Sequence, residues 1–353
     1  MTLHIGNVEK VPAERPFTGF VRPFIRSRRR GYLGFLFRRI AQSALLFFLT
    51  ILLTFALINV APGDMVDVMA GDSGGADPGY VQMLRGKYGL DRPLPVRLYN
   101  YVDQLAHLDL GYSFPQSAPV TDLIADRVGP TLLLMASSLA LSVAGALVLG
   151  TLAARHVHRA TDGIVSVLTL LAYATPVFWV GLMLILVFSV KLGWFPSSGM
   201  ETLFSGYTGW TRVKDVAWHL VLPAATLSLF HLALFTRLLR ASLLEVLRQD
   251  FVRTARAKGI GEWRVLGVHA LGNALLPLVT MVGMQIGASL GGAVVVESVF
   301  AWPGLGRLAF EALGARDTNL LVGIVLFSGL VVITVNLLVD LLYGWLDPRI
   351  ENV

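Results

Sequence analysis

Six stretches of about twenty mainly apolar residues recur along this chain, and they constrain its fold more than any other feature. They lie near residues 36–60, 131–154, 164–190, 217–237, 274–297 and 319–343. A helix of about twenty residues crosses the roughly 30 Å hydrocarbon core of a bilayer, and only helices and closed barrels satisfy every backbone hydrogen bond in lipid. We therefore predict an all-α polytopic membrane protein with six transmembrane helices, kinked at Pro176 and Pro223 in the third and fourth spans.

The composition agrees with residence in a membrane. Of 353 residues, 55% are hydrophobic and only 15% are charged, and the mean hydropathy is +0.66. The formal charge of +6 could suit nucleic acid, but in so apolar a chain it points to anionic lipid headgroups or a cytoplasmic partner. Cysteine is absent, which excludes disulfides, thiolate metal sites and a cysteine nucleophile.

The distribution of Lys and Arg predicts the orientation of the spans. The segments on the side of the N-terminus hold 19 of these residues and the segments on the other side hold 10, which favours cytoplasmic N- and C-termini. We accordingly divide the chain into a basic N-terminal extension, 1–34, and a transmembrane domain, 35–353. An outer loop, 61–129, contains a stretch, 101–114, that we expect to form a short amphipathic helix, and a loop at 241–272 faces the cytoplasm.

The spans themselves lack the residues that most membrane chemistry needs. Charged residues occur only near their ends, among them Arg237, Glu297 and Asp340, and His231 is the buried-looking titratable residue in mid-span. Ion-coupled transport usually leaves ionisable groups inside the membrane, and a polytopic membrane enzyme would need polar groups clustered at one depth. Both classes are therefore poorly supported, and we assign no catalytic and no metal-binding residue. A Walker A sequence is also missing.

One polar, basic segment interrupts the apolar pattern, "DFVRTARAKGIGEWRVLGVHALGNALLP" at 250–277. Asp250 as N-cap and Gly259 after the last turn predict a helix of about two turns over 251–258. Such a helix would present Phe251, Val252 and Ala255 on one side. Its shape suits docking into a groove on a cytoplasmic partner, although an ordinary solvated loop is the alternative.

A second pattern lies in the fifth span, where Gly283, Gly287 and Gly291 repeat every fourth residue. Small residues at this spacing permit close approach of helices in a membrane. The glycines could serve packing alone, or their face could line a pathway or a subunit interface.

The segment 250–277 resembles the EAA loop of the membrane-spanning subunits of type I ATP-binding-cassette importers, in the form found in the dipeptide/oligopeptide permease branch. The likeness extends from about residue 34 through "PGD", "YGLDRPLPVRLYNYV", "LDLGYSF", "ATPVFWVGLML", "ESVFAWPGLGRL" and "VNLLVDLLYGWLDPRI". Arg253 and Thr254 replace the glutamate and first alanine of the general pattern, and Gly272 stands where that pattern has proline. These departures recur in the peptide branch.

The resemblance implies a type I importer permease fold, a bacterial inner-membrane location, and a coupling helix that transmits the action of an ATPase. The residues that it assigns to coupling are Phe251, Val252, Arg253, Thr254, Ala255, Arg256, Ala257, Lys258 and Gly259. It also implies a second homologous permease, two ATPase subunits and an extracytoplasmic binding protein as partners. The chain should need no cofactor of its own, because the partner subunits bind ATP and magnesium. Peptides are the expected cargo, and nickel complexes, glutathione, opines and oligosaccharides are the alternatives.

Overall fold

A computed structural model describes residues 24–60, 79, 82, 83, 86 and 91–346. Most of the basic extension 1–34, most of the outer loop between 61 and 90, and residues 347–353 lie outside the described residues. The helices with described bounds are α1 (Phe24–Val60), α2 (Leu94–Ala106), α3 (Val120–Arg155), α4 (Ala160–Ala174), α5 (Val177–Leu184), α6 (Gly209–Val246), α7 (Asp250–Ala257), α8 (Glu262–Arg264), α9 (Leu271–Val299), α10 (Leu305–Gly314) and α11 (Thr318–Leu346).

Within the described residues, five helices are long and apolar enough to cross a membrane, and a bent pair makes a sixth crossing if it counts as one span. The five are α1, α3, α6, α9 together with the segment that precedes it from Glu262, and α11. The bent pair is α4 with α5, and α5 continues as a π-helix, Ile185–Lys191. The architecture is therefore the predicted all-α polytopic fold.

The helices extend further than the hydropathy windows predicted. The window 131–154 lies inside α3, which begins at Val120, and the window 217–237 lies inside α6, which runs from Gly209 to Val246. An apolar window ends at the first polar turn of a helix, whereas the backbone hydrogen bonds of the helix continue into the interfacial region of the membrane. Each of these two helices thus carries polar turns beyond its apolar segment.

The two prolines expected to kink spans act differently. Pro176 lies at a break where α4 and α5 meet at 106°, a sharper change of direction than the expected kink. Thr175 before it is extended, with φ −85° and ψ 132°, as sterics require of a residue that precedes proline. Pro223, in contrast, lies inside the unbroken helix α6.

The two ends of the bundle differ in what covers them. One end carries the short helix α7, and the opposite end carries a two-residue antiparallel hairpin, β1 (Tyr112–Ser113) and β2 (Ala118–Pro119). We call them the α7 end and the hairpin end. The expected amphipathic helix at 101–114 is only partly right, since helix α2 begins at Leu94 and ends at Ala106, after which the chain turns into the hairpin.

Buried apolar residues form separate clusters at the two ends. At the α7 end, side chains of α3, α6, α7 and α9 share one core that includes Leu239, Leu243 and Val252. At the hairpin end, one core joins the start of α3 to α10 and α11, and another surrounds Phe300 and Trp302 beside α5 and α6. Helices α3 and α6 pack together along much of their length and connect the two ends.

Candidate functional site

The short helix α7 is present where the sequence predicts one, with a different first residue. It runs from Asp250 to Ala257, and Gln249 rather than Asp250 is the extended residue before it, with φ −75° and ψ 154°. Asp250 is instead the first helical residue, where a carboxylate suits the positive end of the helix dipole. The Nη1 atom of Arg253 lies 3.3 Å from Asp250 Oδ1.

The end of α7 follows the prediction. Lys258 caps the helix and Gly259 adopts φ +76°, the left-handed conformation that glycine adopts without steric cost. The N–H of Gly259 donates to the carbonyl of Arg256 at 2.9 Å, and the N–H of Ile260 donates to that of Ala255 at 3.3 Å. A Cβ at Gly259 would meet nothing within 4 Å, so the backbone conformation, and not crowding, requires glycine here.

Helix α7 has a buried face and an exposed face. Val252 is fully buried and Ala255 is 5% exposed, both in the core that contains Leu239 and Val265. Phe251, which the sequence pattern places on the same side of the helix, is 41% exposed. The exposed residues of this segment are Phe251, Arg253, Thr254, Arg256, Ala257, Lys258 and Gly259. The outward surface is therefore basic, with one aromatic ring.

Polar contacts fix the chain that follows α7. The guanidinium of Arg256 donates two hydrogen bonds to Glu262, at 2.8 Å and 3.1 Å, and so closes the turn between α7 and α8. Next along the chain, Trp263 lies under the guanidinium of Arg155, at 3.9 Å from its carbon to the ring centroid. Because Arg155 ends α3, this cation–π contact joins the loop to a membrane-spanning helix.

An ion pair that sequence reasoning missed lies at the same end. Arg240 on α6 donates to both carboxylate oxygens of Asp162 on α4, at 2.6 Å and 2.7 Å. The side chain of Asp162 is 8% exposed, and its Oδ2 also accepts the N–H of His158 at 3.1 Å. Asp162 lies just before one apolar window of the sequence and Arg240 just after another. No other feature of the sequence indicates that they form an ion pair.

The glycines of the fifth span lie on α9. Gly283 is buried, and Gly287 approaches α11, because a Cβ there would be 3.2 Å from Val332 Cγ1 and 3.4 Å from Asn336 Oδ1. Gly291 is part of the helix, but its surroundings lie outside the described side chains. Close helix packing is thus observed at Gly287.

His231, which looked isolated in the sequence, has a polar neighbour on another helix. Its Nε2 lies 3.4 Å from the hydroxyl of Ser289 on α9, and that hydroxyl donates to the carbonyl of Gln285 at 2.7 Å. Across the residues that the structure describes, no three His, Asp or Glu side chains are grouped so that they could hold a metal ion.

The hairpin end contains a fully buried carboxylate within the "ESVFAWPGLGRL" segment. Glu297 accepts the hydroxyl of Thr131 at 2.7 Å and the N–H of Arg307 at 3.0 Å. The hydroxyl of Thr131 also accepts the N–H of Leu305 at 2.8 Å, at the start of α10. A Cβ at Gly304 would lie 2.2 Å from the carboxyl carbon of Glu297. The glycine is therefore required by the close approach of this carboxylate.

The fold and the exposed helix α7 together define a polytopic helical membrane protein with a basic exposed surface between two spans. Comparison with known families gives the class. Residues 146–352 match the family described as binding-protein-dependent transport system inner membrane component, and residues 32–136 match the corresponding N-terminal component. The chain belongs to this family, the permeases of type I ATP-binding-cassette importers.

Curated relatives of the chain have names that refer to peptides. A putative peptide permease of Brucella ovis is 42% identical over 317 residues, covering 90% of this chain and 98% of the relative. A putative peptide transport system permease of Brucella abortus is 40% identical over 314 residues, covering 89% and 98%. The dipeptide transport system permease DppB of Escherichia coli is 39% identical over 337 residues, covering 91% and 99%. The chain is thus similar to complete peptide permeases.

Proposed function

We propose that this chain forms half of the translocation pathway of an ATP-driven importer of di- and oligopeptides. It would pair with a second homologous permease, two ATPase subunits and an extracytoplasmic binding protein. The family membership and the names of the curated relatives support the class and the cargo. Nickel complexes, glutathione, opines and oligosaccharides remain the alternative cargoes, since the permease shares its architecture with importers of these compounds.

The observation that carries the proposal is the division of α7 into two faces. Its outward residues, including Phe251 and Arg253, are exposed and available to an ATPase subunit. Its inward residues, Val252 and Ala255, lie in the core of α3, α6 and α9. Because packed interiors transmit displacement, movement of α7 would move the membrane-spanning helices that pack against it.

We propose that the α7 end lies in the cytoplasm, with both termini on that side. The excess of Lys and Arg on the segments of this side supports the placement, and so does the basic surface of α7. The hairpin end would then face the binding protein.

The apolar spans also explain why an external energy source is needed. A peptide that crosses hydrocarbon without a shielded path leaves its amides without hydrogen bonds, at a cost of several kcal/mol for each amide. Work would come from ATP hydrolysis in the partner subunits, which biases the spans between inward-facing and outward-facing arrangements.

Transport by the reconstituted complex tests the proposal. Proteoliposomes that contain both permeases and both ATPases, supplied with binding protein, would be assayed for uptake of labelled di-, tri- and pentapeptides with and without ATP. The test variant is Phe251→Asp, which places a carboxylate on the exposed face of α7. The matched control is Phe310→Asp, at a phenylalanine of α10 that is 63% exposed at the hairpin end.

We expect ATP-dependent uptake by the wild-type complex, loss of both ATPase association and uptake with Phe251→Asp, and retained ATPase association with the control. Retained association and uptake with Phe251→Asp would overturn the coupling role of α7. Failure of every peptide to enter, with ATPase association intact, would refute the peptide cargo.

A further inference from the structure

A cavity of about 720 Å³ opens at the hairpin end. Its walls come from the last turns of α1, one side of α2, the hairpin and the first turns of α11. Its volume lies within the range of about 300–1,000 Å³ that small-molecule sites occupy. Its lining mixes apolar side chains with charged and amide groups, which is the composition of a ligand site rather than of a packing defect.

Opposite charges line the two ends of the α2 wall. Arg97, in the first turn of α2, is half-buried, and no carboxylate lies within ion-pair distance of it among the described residues. Asp109 follows the helix, and its position is fixed because its N–H donates to the carbonyl of Gln104 at 3.0 Å and its Oδ1 accepts the N–H of Gly111 at 2.9 Å. From Arg97 to the end of α2 at Ala106 the helix rises about 14 Å, and Asp109 lies in the turn that follows.

A buried hydroxyl without a partner lies between these charges. The hydroxyl of Tyr101 is inaccessible to solvent and has no hydrogen-bond partner within the described part of the chain. Its ring packs on Phe55 of α1, with ring centroids 5.8 Å apart, so the hydroxyl cannot swing out freely. Burial raises the pKa of Tyr101 to about 12, which keeps it a hydrogen-bond donor at neutral pH. Buried polar groups are usually paired, and this one has no partner among the described residues.

The wall therefore offers a cation near one end and an anion near the other, with the amide of Asn100 between them in the sequence. A peptide with free termini carries a carboxylate at one end, amides in the middle and an ammonium at the other. At about 3.4 Å per extended residue, four residues span about 14 Å. Charge-assisted hydrogen bonds at the two ends would fix both direction and length.

We propose that this cavity binds a short peptide of about four residues, with its carboxylate on Arg97 and its ammonium on Asp109. The inference rests on the proposed function for the peptide class of the ligand and for the outward orientation of the hairpin end. It adds a site on the permease itself, where a peptide can be held outside the membrane-spanning segment.

Equilibrium binding to the assembled complex, without binding protein and without ATP, tests the proposal. The probes are labelled tetra-alanine, the same peptide with an acetylated N-terminus, and the same peptide with an amidated C-terminus. We expect each blocked peptide to bind about tenfold more weakly than the free form, since each lacks one charge-assisted contact. Equal binding of all three peptides, or no binding of the free form, would overturn the proposal. This comparison uses only the wild-type complex and so does not depend on the folding of a variant.

Variants then show which side chain binds which terminus of the peptide. In Arg97→Gln, the preference for the free acid over the amide should disappear while the preference for the free amine remains, and Asp109→Asn should show the converse. The control is Arg92→Gln, an exposed arginine just before α2 that does not line the cavity. An unchanged preference in Arg97→Gln would contradict the assignment, because loss of a merely structural arginine would weaken all probes alike.

Failure of this proposal is distinguishable from failure of the proposed function. ATP-dependent uptake that is sensitive to Phe251→Asp, together with no peptide binding at the cavity, would remove only the cavity site. Absence of ATP-dependent peptide uptake would remove the proposed cargo.

Discussion

The guanidinium of Arg240 and the carboxylate of Asp162 form two parallel hydrogen bonds, at 2.6 Å and 2.7 Å, between the end of α6 and the start of α4. These residues are 78 positions apart, and both lie at the α7 end. The pair fixes the turn between α3 and α4 against α6, the helix whose core residues also contact α7. Paired and hydrogen-bonded charges can be buried in this way, whereas either charge alone would be costly.

Removal of one member of this pair should destabilise the protein. We expect Asp162→Asn to lower the free energy of unfolding by about 2 kcal/mol, since it leaves the Arg240 charge, which is 29% exposed, without its partner. Thermal unfolding of the purified chain in detergent measures the effect. Asp250→Asn, at a side chain that is 95% exposed, is the control and should leave the unfolding midpoint nearly unchanged. Equal midpoints for the two variants would contradict the structural role of the pair.

The two faces of α7 should respond differently to truncation. Val252→Ala removes two fully buried methyl groups and should cost about 2 kcal/mol of stability. Phe251→Ala removes a ring that is 41% exposed and should change stability much less while it weakens ATPase association. Unfolding and co-purification, measured on the same two preparations, separate the effects. A larger loss of stability at Phe251 would show that the assigned faces are reversed.

Two neighbouring glycines near the end of α7 form a matched pair for a backbone test. Gly259→Ala must place a Cβ at φ +76°, a conformation that costs an L-residue about 1 kcal/mol. Gly261 has φ −62° and open space around it, so Gly261→Ala should be neutral. The unfolding midpoints of the two variants report the difference, and indistinguishable midpoints would count against the left-handed cap.

Because the buried carboxylate of Glu297 lies against Gly304, we expect this position at the hairpin end to tolerate no side chain. Gly304→Ala would place a Cβ 2.2 Å from the carboxyl carbon, and the forced displacement should cost about 1–3 kcal/mol or prevent folding. Gly304 directly precedes α10, and Gly314 is the last residue of that helix. In Gly314→Ala the Cβ meets nothing within 4 Å, so this control should be tolerated. The yield of monodisperse protein and its unfolding midpoint provide the comparison. Normal yield and midpoint for Gly304→Ala would show that Glu297 can move away.

Sequence patterns predicted the structural features that depend on residues close together in the chain. The positive φ of Gly259 and the position of α7 followed from a short helix with a glycine after it, and the break at Pro176 followed from the geometry of proline. Pairing between distant positions could not be predicted in this way, because Asp162 and Arg240 are 78 positions apart and Thr131 and Glu297 are 166 positions apart, so no local pattern links them.

The exposure of Phe251 has a related cause. Phe251, Val252 and Ala255 share one side of an eight-residue helix, and the helices against which it packs decide which part of that side is buried. Tyr101 and Arg97 likewise became candidates only when α1, α2 and α11 were brought together around one cavity. From the sequence alone, Tyr101 is the first residue of the expected amphipathic segment 101–114, and Arg97 lies just before that segment.

Helix α7 also has a consequence for how such transporters diversify. Val252 and Ala255 must suit the interior of their own subunit, while in the proposed docking Phe251, Arg253 and Lys258 must suit only the surface they meet. The two sets of residues can therefore change independently. A permease could acquire a different ATPase by substitutions on one side of eight residues, with its membrane-embedded half left as it was.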